Sequence, residues 1–188
     1  MDGMPLVPFD QLSADARLWI FAAERPLSSD ERDRLLTIVD QFLAHWKAHG
    51  VPLTAARDWQ YDRFLLVGVD EAAADASGCS IDAMVRQFEQ LESAMGVALL
   101  DHGPVLFRRG NAIERVPRPA FADLARQGIV SPDTVVFNNT VTRVGDVREG
   151  KWETPARASW HARAFNLTNP PNPTNPANPT NPSNEVVR

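Results

Sequence analysis

Two short runs of almost wholly apolar residues constrain this chain more than any other feature of its sequence. They span Ala16 to Ala23 (ARLWIFAA) and Phe64 to Val69 (FLLVGV). Each run is long enough for a β-strand and too short for a helix. Strands that are apolar on both sides must be covered on both faces, so we predict that these two are central strands of a buried sheet.

The segment between the two runs is predicted to hold an amphipathic helix. Ser28 and Glu31 have the capping-box spacing, with Ser28 as the N-cap. An apolar stripe follows at helical spacing, and Gly50 is the expected end of the helix. The stripe consists of Leu35, Val39, Phe42, Trp46 and His49.

A second strand–helix pair is predicted on either side of the second apolar run. Residues alternate from Leu53 to Tyr61, which indicates a half-exposed or edge strand. Ser80 is the expected N-cap of a second amphipathic helix that ends at Gly96. Val97 to Leu100 is then predicted to be a strand, because it is a short apolar run.

The order of these elements indicates an α+β fold. Gly110-Asn111 is a two-residue turn signal, so a β-hairpin is predicted there. Residues 16 to 116 then read β-α-β-β-α-β with a hairpin extension, the pattern of the ferredoxin-like split βαβ fold. In that fold the two apolar strands are the central parallel pair, and both helices lie on one face. A different α+β sandwich remains open.

Four segments are predicted along the chain. They are an N-terminal arm (1–15), the ferredoxin-like α+β core (16–118), a C-terminal extension packed on the core (119–165) and a disordered tail (166–188). The extension is expected to contain a short helix, a short strand and a terminal element that docks its aromatic side chains. These are Ala120 to Gln127, Thr134 to Phe137, and Pro155 to Phe165 with Trp152, Trp160 and Phe165.

The predicted tail has a composition unlike the rest of the chain. From Asn166 to Asn184 it repeats Thr/Ala/Ser-Asn-Pro units and carries no charge. Such a segment cannot bury enough apolar surface to offset its ordering entropy. It is interpreted either as a spacer or docking tail or, more simply, as a repeat expansion tolerated at a terminus.

Charge and hydropathy exclude several classes of partner. The net charge is −5, and basic residues alternate with acidic ones, as in Arg32-Asp33-Arg34. This argues against nucleic acid or an anionic membrane as a partner. No run approaches the roughly 20 apolar residues that span a bilayer. Residues 1–11 lack the features of a signal peptide, so we expect a cytoplasmic protein.

The familiar chemical motifs are missing from this sequence. It has no GxxxxGK[ST], GxGxxG, GxSxG or HExxH, so no cofactor is expected. One cysteine cannot form an intrachain disulfide or a Cys-rich metal site. His45 and His49 are a weak candidate metal pair on the predicted helix, but a structural role near its C-terminus is favoured. Asp101-His102 is interpreted as part of a turn rather than as a general base.

The turn from Ser77 to Asp82 is the main candidate site. Gly78 permits a tight backbone, and Ser80 as N-cap places Cys79 just before a helix. The unpaired N–H groups and the dipole of the helix would lower the pKa of the Cys79 thiol. Asp82, in the first helical turn, would oppose a thiolate while favouring the helix.

The parallel arrangement would bring further charged residues to this turn. The exits of two parallel central strands meet at one end of the sheet, so Glu24-Arg25 would lie beside Asp70-Glu71. Arg25 could then favour the thiolate or bind an anionic ligand. Cys79 is the candidate catalytic residue. The candidate ligand-binding residues are Arg25, Glu24, Asp70, Gly78, Ser80 and Asp82.

The leading functional hypothesis is a non-catalytic binding or regulatory module. It would bind a protein or a small anion at the Arg25/Cys79/Ser80 end and form a homo-oligomer through the open face of its sheet. The alternative is a thiol-dependent enzyme or redox sensor that uses Cys79. A turn that only caps the helix is the simplest interpretation of all.

Five segments carry a resemblance to a known family. They read RLWIFAAERPLS, HWKAHG, RFLLVGVDE, ASGCSIDAMV and KWETPARASW. Together they resemble an uncharacterised bacterial protein family over residues 14–165, without the tail. Its members often carry the label "ABC transporter ATPase", which implies a nucleotide-binding ATPase. This chain lacks the phosphate-binding loop and the Gly-rich signature that such ATPases need.

Overall fold

The chain combines helices with antiparallel strands, in agreement with the α+β prediction. The computed structural model describes residues 7–72 and 76–167. The first half contains β1 (Arg17–Ala22), α1 (Ser29–His45), β2 (Lys47–Ala48), β3 (Val51–Pro52), β4 (Thr54–Gln60), β5 (Phe64–Asp70) and α2 (Gly78–Met95). The second half contains β6 (Val105–Arg109), β7 (Ala112–Val116), α3 (Arg118–Arg126), β8 (Val135–Phe137), α4 (Val144–Arg148), β9 (Glu153–Pro155) and α5 (His161–Ala164).

The first sheet has three strands in the order β1-β5-β4. The fully apolar β5 is central and the alternating β4 is at an edge, as predicted. The prediction that β1 is also central is wrong, because β1 forms the other edge of this sheet. β1 pairs with β5 antiparallel, with Arg17 opposite Val69 and Ala22 opposite Phe64. The predicted parallel pairing is therefore wrong, and residues 97–100 form no strand. The ferredoxin-like arrangement is not confirmed.

The error in strand direction has a simple physical reason. Apolar residues on both sides of a strand show that both faces are buried, but they do not specify which way a neighbour runs. β4 is antiparallel to β5 and thus parallel to β1. A tight turn at Tyr61-Asp62, where both residues have positive φ, joins β4 to β5. β5 lies between β1 and β4 in the sheet.

Helices α1 and α2 cover one face of this sheet, as predicted. Phe21, Leu65 and Val67 point from the strands into that layer. Phe21 meets Phe88 of α2 edge-to-face at a centroid distance of 4.6 Å. The helical side chains buried in the layer are Leu35, Val39, Leu43, Met84, Phe88 and Leu91.

A second sheet covers the other face of the first one. It is antiparallel, with the order β7-β6-β8-β9. Phe64 of β5 stacks on Phe137 of β8 at a centroid distance of 4.6 Å, and Trp152 meets Phe64 edge-to-face at 5.2 Å. The predicted open sheet face is therefore wrong, because the first sheet is buried on both sides. Self-association through that face loses its basis.

Helices α3 and α5 pack on the outer side of the second sheet. Phe121 of α3 contacts Phe107 of β6 and Phe165 after α5. The molecule thus has four layers: helices, sheet, sheet and helices. The second sheet takes strands from both sides of the boundary predicted at residue 118, because β6 and β7 precede it and β8 and β9 follow it.

The helix caps confirm some local predictions and correct others. Ser28 and Glu31 form the predicted capping box, and Gly96 ends α2 in the left-handed conformation. The N-cap of α2 is Ser77 rather than Ser80, because the Ser77 hydroxyl accepts a hydrogen bond from the Ser80 N–H at 3.3 Å. The hairpin at Gly110-Asn111 is confirmed.

Helix α1 ends at His45, earlier than predicted. Trp46 leaves the helix with an extended backbone, and its indole Nε1 donates to the Ser80 carbonyl at 2.8 Å. His49 and Gly50 then form the turn between β2 and β3, both at positive φ. The apolar stripe predicted a longer helix because Trp46 is buried, although it lies outside α1.

The termini of the described chain pack on the core. The Val7 N–H donates to the Ala55 carbonyl at 3.1 Å, and Leu12 is buried against the first sheet. Leu167 is buried in the outer layer beside α3 and α5. The rest of the predicted tail, residues 168–188, lies outside the described residues. Within the described ranges, no helix has the length and apolarity needed to cross a membrane.

Candidate functional site

The predicted nucleophile lies on the surface of the first turn of α2. Cys79 is the second residue of this helix and is exposed. Gly78 and Asp82 beside it are exposed too, whereas Ser80 is buried. Cys79 lines none of the main cavities of the described chain. Among the described residues, Cys79 thus stands outside the cavity described below.

The charged residues expected around this turn are not brought together. Arg25 binds Glu31 at 2.7 and 3.0 Å, which holds its guanidinium at the start of α1. Ser80 instead accepts a hydrogen bond from Trp46, immediately after α1 ends. These two contacts are separated by the length of α1, about 25 Å. Glu24 and Asp70 also lie at opposite ends of the sheet, since their strands are antiparallel.

The candidate metal pair is likewise not assembled on one helix face. His45 ends α1, and its Nδ1 lies 2.9 Å from the Gln41 carbonyl. His49 lies in the turn between β2 and β3. Within residues 7–72 and 76–167, no group of three or more His, Cys, Asp or Glu side chains is placed to hold a metal ion.

A cavity of about 340 Å³ opens between the free edge of β1 and the second sheet. The chain segments that enclose it are far apart in sequence, and aromatic and aliphatic side chains form most of its wall. Its lining residues are Arg17, Leu18, Trp19, Ile20, Phe21, Asp101, His102, Pro104, Val105, Leu106, Arg118, Phe137, Asn139, Thr140, Val141, Thr142, Trp160 and His161.

A stack of three side chains forms one wall of the cavity. The rings of Trp160 and His161 are stacked with centroids 3.9 Å apart. The guanidinium of Arg118 lies 4.9 Å from the Trp160 ring centroid, on the order expected for a cation–π contact. Burial, and to a smaller extent the nearby positive charge of Arg118, lower the pKa of His161 to about 4. His161 is therefore neutral near pH 7.

The Ser159 hydroxyl is the hydrogen-bond partner of His161. Ser159 Oγ lies 2.8 Å from Nδ1 of His161 and 3.1 Å from the Ala156 carbonyl oxygen. A hydroxyl has one proton, which it can donate to only one of these two atoms. The contact fixes the orientation of the buried His161 ring within the stack.

The remaining charges at the cavity differ in how they are neutralised. Arg17 lies 3.6 Å from Glu71. Asp101 accepts from the Gly103 N–H at 3.0 Å and from Arg115 at 2.6 Å, and both contacts lower its pKa.

Arg118 is different because no carboxylate of the described chain lies within ion-pair distance of its guanidinium. Its side-chain hydrogen bond goes to the Gly103 carbonyl at 3.2 Å. A charged guanidinium thus remains without a carboxylate at the edge of an apolar cavity.

Comparison with protein-family models, curated proteins and solved structures gives no match to this chain. The family resemblance stays a prediction, and the site rests on geometry alone.

Sequence patterns did not indicate this cavity. Asp101-His102 lies outside regular helix and strand, as predicted, and Trp160 docks on the core, as predicted. No local spacing links either of them to Arg118 or to β1. A cationic residue directly before Pro119 and the adjacent Trp160-His161 pair were the available signals, and both are common in structural roles.

Proposed function

We propose that this protein is a non-catalytic binding module whose ligand is a small apolar carboxylate held in the β1 cavity. One observation carries the proposal: Arg118, with no carboxylate partner in the described chain, stands at the edge of a mostly apolar cavity. Arg118 is exposed, so an acid with an apolar body could pair its carboxylate with this guanidinium while its apolar part fills the cavity. This site replaces the Arg25/Cys79/Ser80 end as the place where a small anion binds.

The size and the walls of the cavity support this ligand class. Its volume of about 340 Å³ is in the range that small-molecule sites occupy. Leu106, Val141 and Trp160 offer apolar surface to a ring or an alkyl chain. A carboxylate can form two parallel hydrogen bonds with one guanidinium, so Arg118 would also orient the ligand.

The titratable groups at the cavity support binding rather than catalysis. Asp101 is engaged by Arg115, and His161 is buried in the stack with Trp160. The alternative, a thiol-dependent enzyme or redox sensor, has the exposed Cys79 in its favour. Cys79 does not line this cavity, so Cys79→Ser should leave ligand affinity unchanged.

The first prediction concerns the charge of the ligand. In calorimetric titrations, 2-naphthylacetate and decanoate should bind roughly tenfold or more tightly than the neutral 2-naphthylacetamide and decanamide, a difference of about 1.4 kcal/mol. Arg118→Ala should abolish this preference, because it removes the cation that faces the carboxylate. The dissociation constants of the four compounds for both proteins are the measurement.

The control is Arg126→Ala, which removes an arginine from the same helix. Arg126 pairs with Asp123 and is exposed away from the cavity, so this variant should keep the wild-type preference. The proposal fails if neither acid shows saturable binding, or if acid and amide bind equally well to the wild-type protein.

A further inference from the structure

The free edge of β1 has a regular pattern of hydrogen-bonding groups. The Ala23 N–H donates to the Arg63 carbonyl at 2.9 Å, which continues the ladder between β1 and β5. In an antiparallel ladder the backbone groups of alternate residues point to opposite sides. The N–H and C=O groups of Leu18, Ile20, Ala22 and Glu24 therefore point away from β5.

The two ends of this edge are paired by the chain itself. The Leu18 N–H donates to the Thr142 carbonyl at 2.9 Å, and the Glu24 N–H donates to the Ala98 carbonyl at 2.9 Å. Residues 16–18 and 142–144 form a short antiparallel bridge. The edge thus already accepts an extended segment at one end.

The middle of the edge is unpaired. Within the described chain, the N–H groups of Ile20 and Ala22 have no hydrogen-bond acceptor. Both residues are buried, with 3% and 5% of their surface exposed, and Ile20 lines the cavity. Buried backbone N–H groups are almost always paired. An occupant of the cavity that carries a hydrogen-bond acceptor would complete the edge.

We infer that the occupant is the carboxyl end of an extended peptide, which adds as a short strand to β1 between Leu18 and Glu24. This inference rests on the proposed function and names its ligand. A peptide presents donors and acceptors at the spacing of a strand edge, which a simple apolar acid does not. Its terminal carboxylate supplies the partner for Arg118, and its side chains supply apolar contacts to the cavity wall.

The length of the open edge limits the peptide. Two outward-facing residues, Ile20 and Ala22, are free between the positions paired by Thr142 and Ala98. An extended segment of about three residues spans that distance at about 3.3 Å per residue. The ligand is therefore a chain end rather than the interior of a long strand.

Backbone methylation of a probe peptide tests this inference. The probe is N-acetyl-Val-Leu-Phe with a free carboxylate, compared by calorimetry with three versions that each carry one N-methyl amide. Only alternate amides of a paired strand face its neighbour. Methylation of an amide that faces β1 should weaken binding roughly tenfold or more. Methylation of an amide that points away from β1 should leave the affinity nearly unchanged.

A second measurement locates the peptide on the protein. In ¹⁵N-resolved NMR spectra the amide protons of Ile20 and Ala22 should shift and gain protection from exchange when the probe binds. The amides of Trp19 and Phe21, which face β5, should change less. The C-terminally amidated probe should bind the wild-type protein more weakly than the probe with a free carboxylate does. The two forms should bind Arg118→Ala with equal affinity.

The outcomes separate this inference from the proposed function. If 2-naphthylacetate binds but the probe shows no alternation and no Ile20 shift, the peptide is wrong and the carboxylate site stands. If neither 2-naphthylacetate nor the probe peptide binds, both the proposed carboxylate site and the peptide inference are wrong. If Ile20 and Ala22 shift with protein concentration alone, a second copy of the chain occupies the edge, and the inference is also overturned.

Discussion

His161 shows how burial can set the charge of a residue. Its side chain is stacked under Trp160 with 1% of its surface exposed, and burial lowers its pKa to about 4. In the unfolded chain His161 has its ordinary pKa of 6.5. Between about pH 6.5 and pH 4 this side chain therefore binds a proton in the unfolded chain but not in the folded protein. Folding stability contributed by neutral His161 is therefore complete above about pH 6.5 and declines as the pH falls toward 4.

This difference predicts how stability depends on pH. Between about pH 7.5 and pH 4 the wild-type protein should lose up to about 3 kcal/mol of unfolding free energy through His161. His161→Gln should be less stable at neutral pH, but its stability should change less over that range. Urea unfolding at several pH values measures both curves.

His45→Gln is the matched control, because His45 is exposed. Its curve should have the wild-type slope. An unchanged slope in His161→Gln would show that His161 does not hold a lowered pKa in the folded protein.

Single residues could be predicted from the sequence where their role is local. Ser28 and Glu31 act within one turn, so their spacing was sufficient. Arg118 and His161 belong to a site whose walls come from segments more than a hundred residues apart, such as β1 and α5. No short pattern contains that information. Cys79 stood out only because its neighbours suggest a helix start, and the structure places it on the surface.

At the scale of elements, the start of α1 is held by a small network. Ser28 accepts from the Glu31 N–H at 3.3 Å, and the Glu31 carboxylate accepts from the Ser28 N–H at 2.9 Å. The hydrogen bond from Arg25, followed by the one from Ser28, lowers the pKa of Glu31 to about 2. The carboxylate thus stays charged in neutral and mildly acidic solution, where it also favours the positive end of the helix dipole.

Loss of the cap hydroxyl should have a measurable effect. Ser28→Ala leaves the Glu31 N–H without its acceptor, so the unfolding free energy should fall by about 1 kcal/mol. Ser29→Ala, at the first residue of α1, is the control and should change stability by less than about 0.5 kcal/mol. Equal values for the two variants in urea unfolding would exclude the capping role.

Helix starts were predictable, and helix ends and strand directions were less so. The end of α1 depends on Trp46, whose indole reaches the Ser80 carbonyl across the core. The direction of β1 depends on the turn at Tyr61-Asp62 and on which neighbour reaches β1 first. Both are tertiary contacts that override local propensity, and neither leaves a periodic signal.

At the scale of the whole molecule, the two sheets share one buried layer centred on Phe64. This side chain is completely buried, stacked on Phe137 and met by Trp152. The sequence indicated that β5 needs cover on both faces, but it did not indicate that a second sheet supplies the cover. The strands of that sheet are short and come from segments as distant as β6 and β9.

This shared layer predicts that the two sheets unfold together. Phe64→Ala should lower the unfolding free energy by about 3–5 kcal/mol through lost burial and the cavity that it leaves. Far-ultraviolet circular dichroism and tryptophan fluorescence should report the same shifted midpoint, since the tryptophans lie in both sheet layers, with Trp46 in the first and Trp152 in the second.

Val51→Ala is the control for this experiment, because Val51 is exposed and lies in the β2–β3 hairpin. It should change stability by less than about 0.5 kcal/mol. Two separate transitions in Phe64→Ala, one for each signal, would show that the sheets are independent units.

The partly paired edge of β1 also affects the tendency of this protein to aggregate at high concentration. An unprotected strand edge is a template for aggregation, since any extended chain can join it. Here residues 142–144 and Ala98 block the two ends, and the walls of the cavity stand beside the middle. A folded neighbour cannot lay a full strand along so short an opening. The same arrangement that leaves room for a chain end thus protects this edge of the first sheet from pairing with a neighbouring molecule.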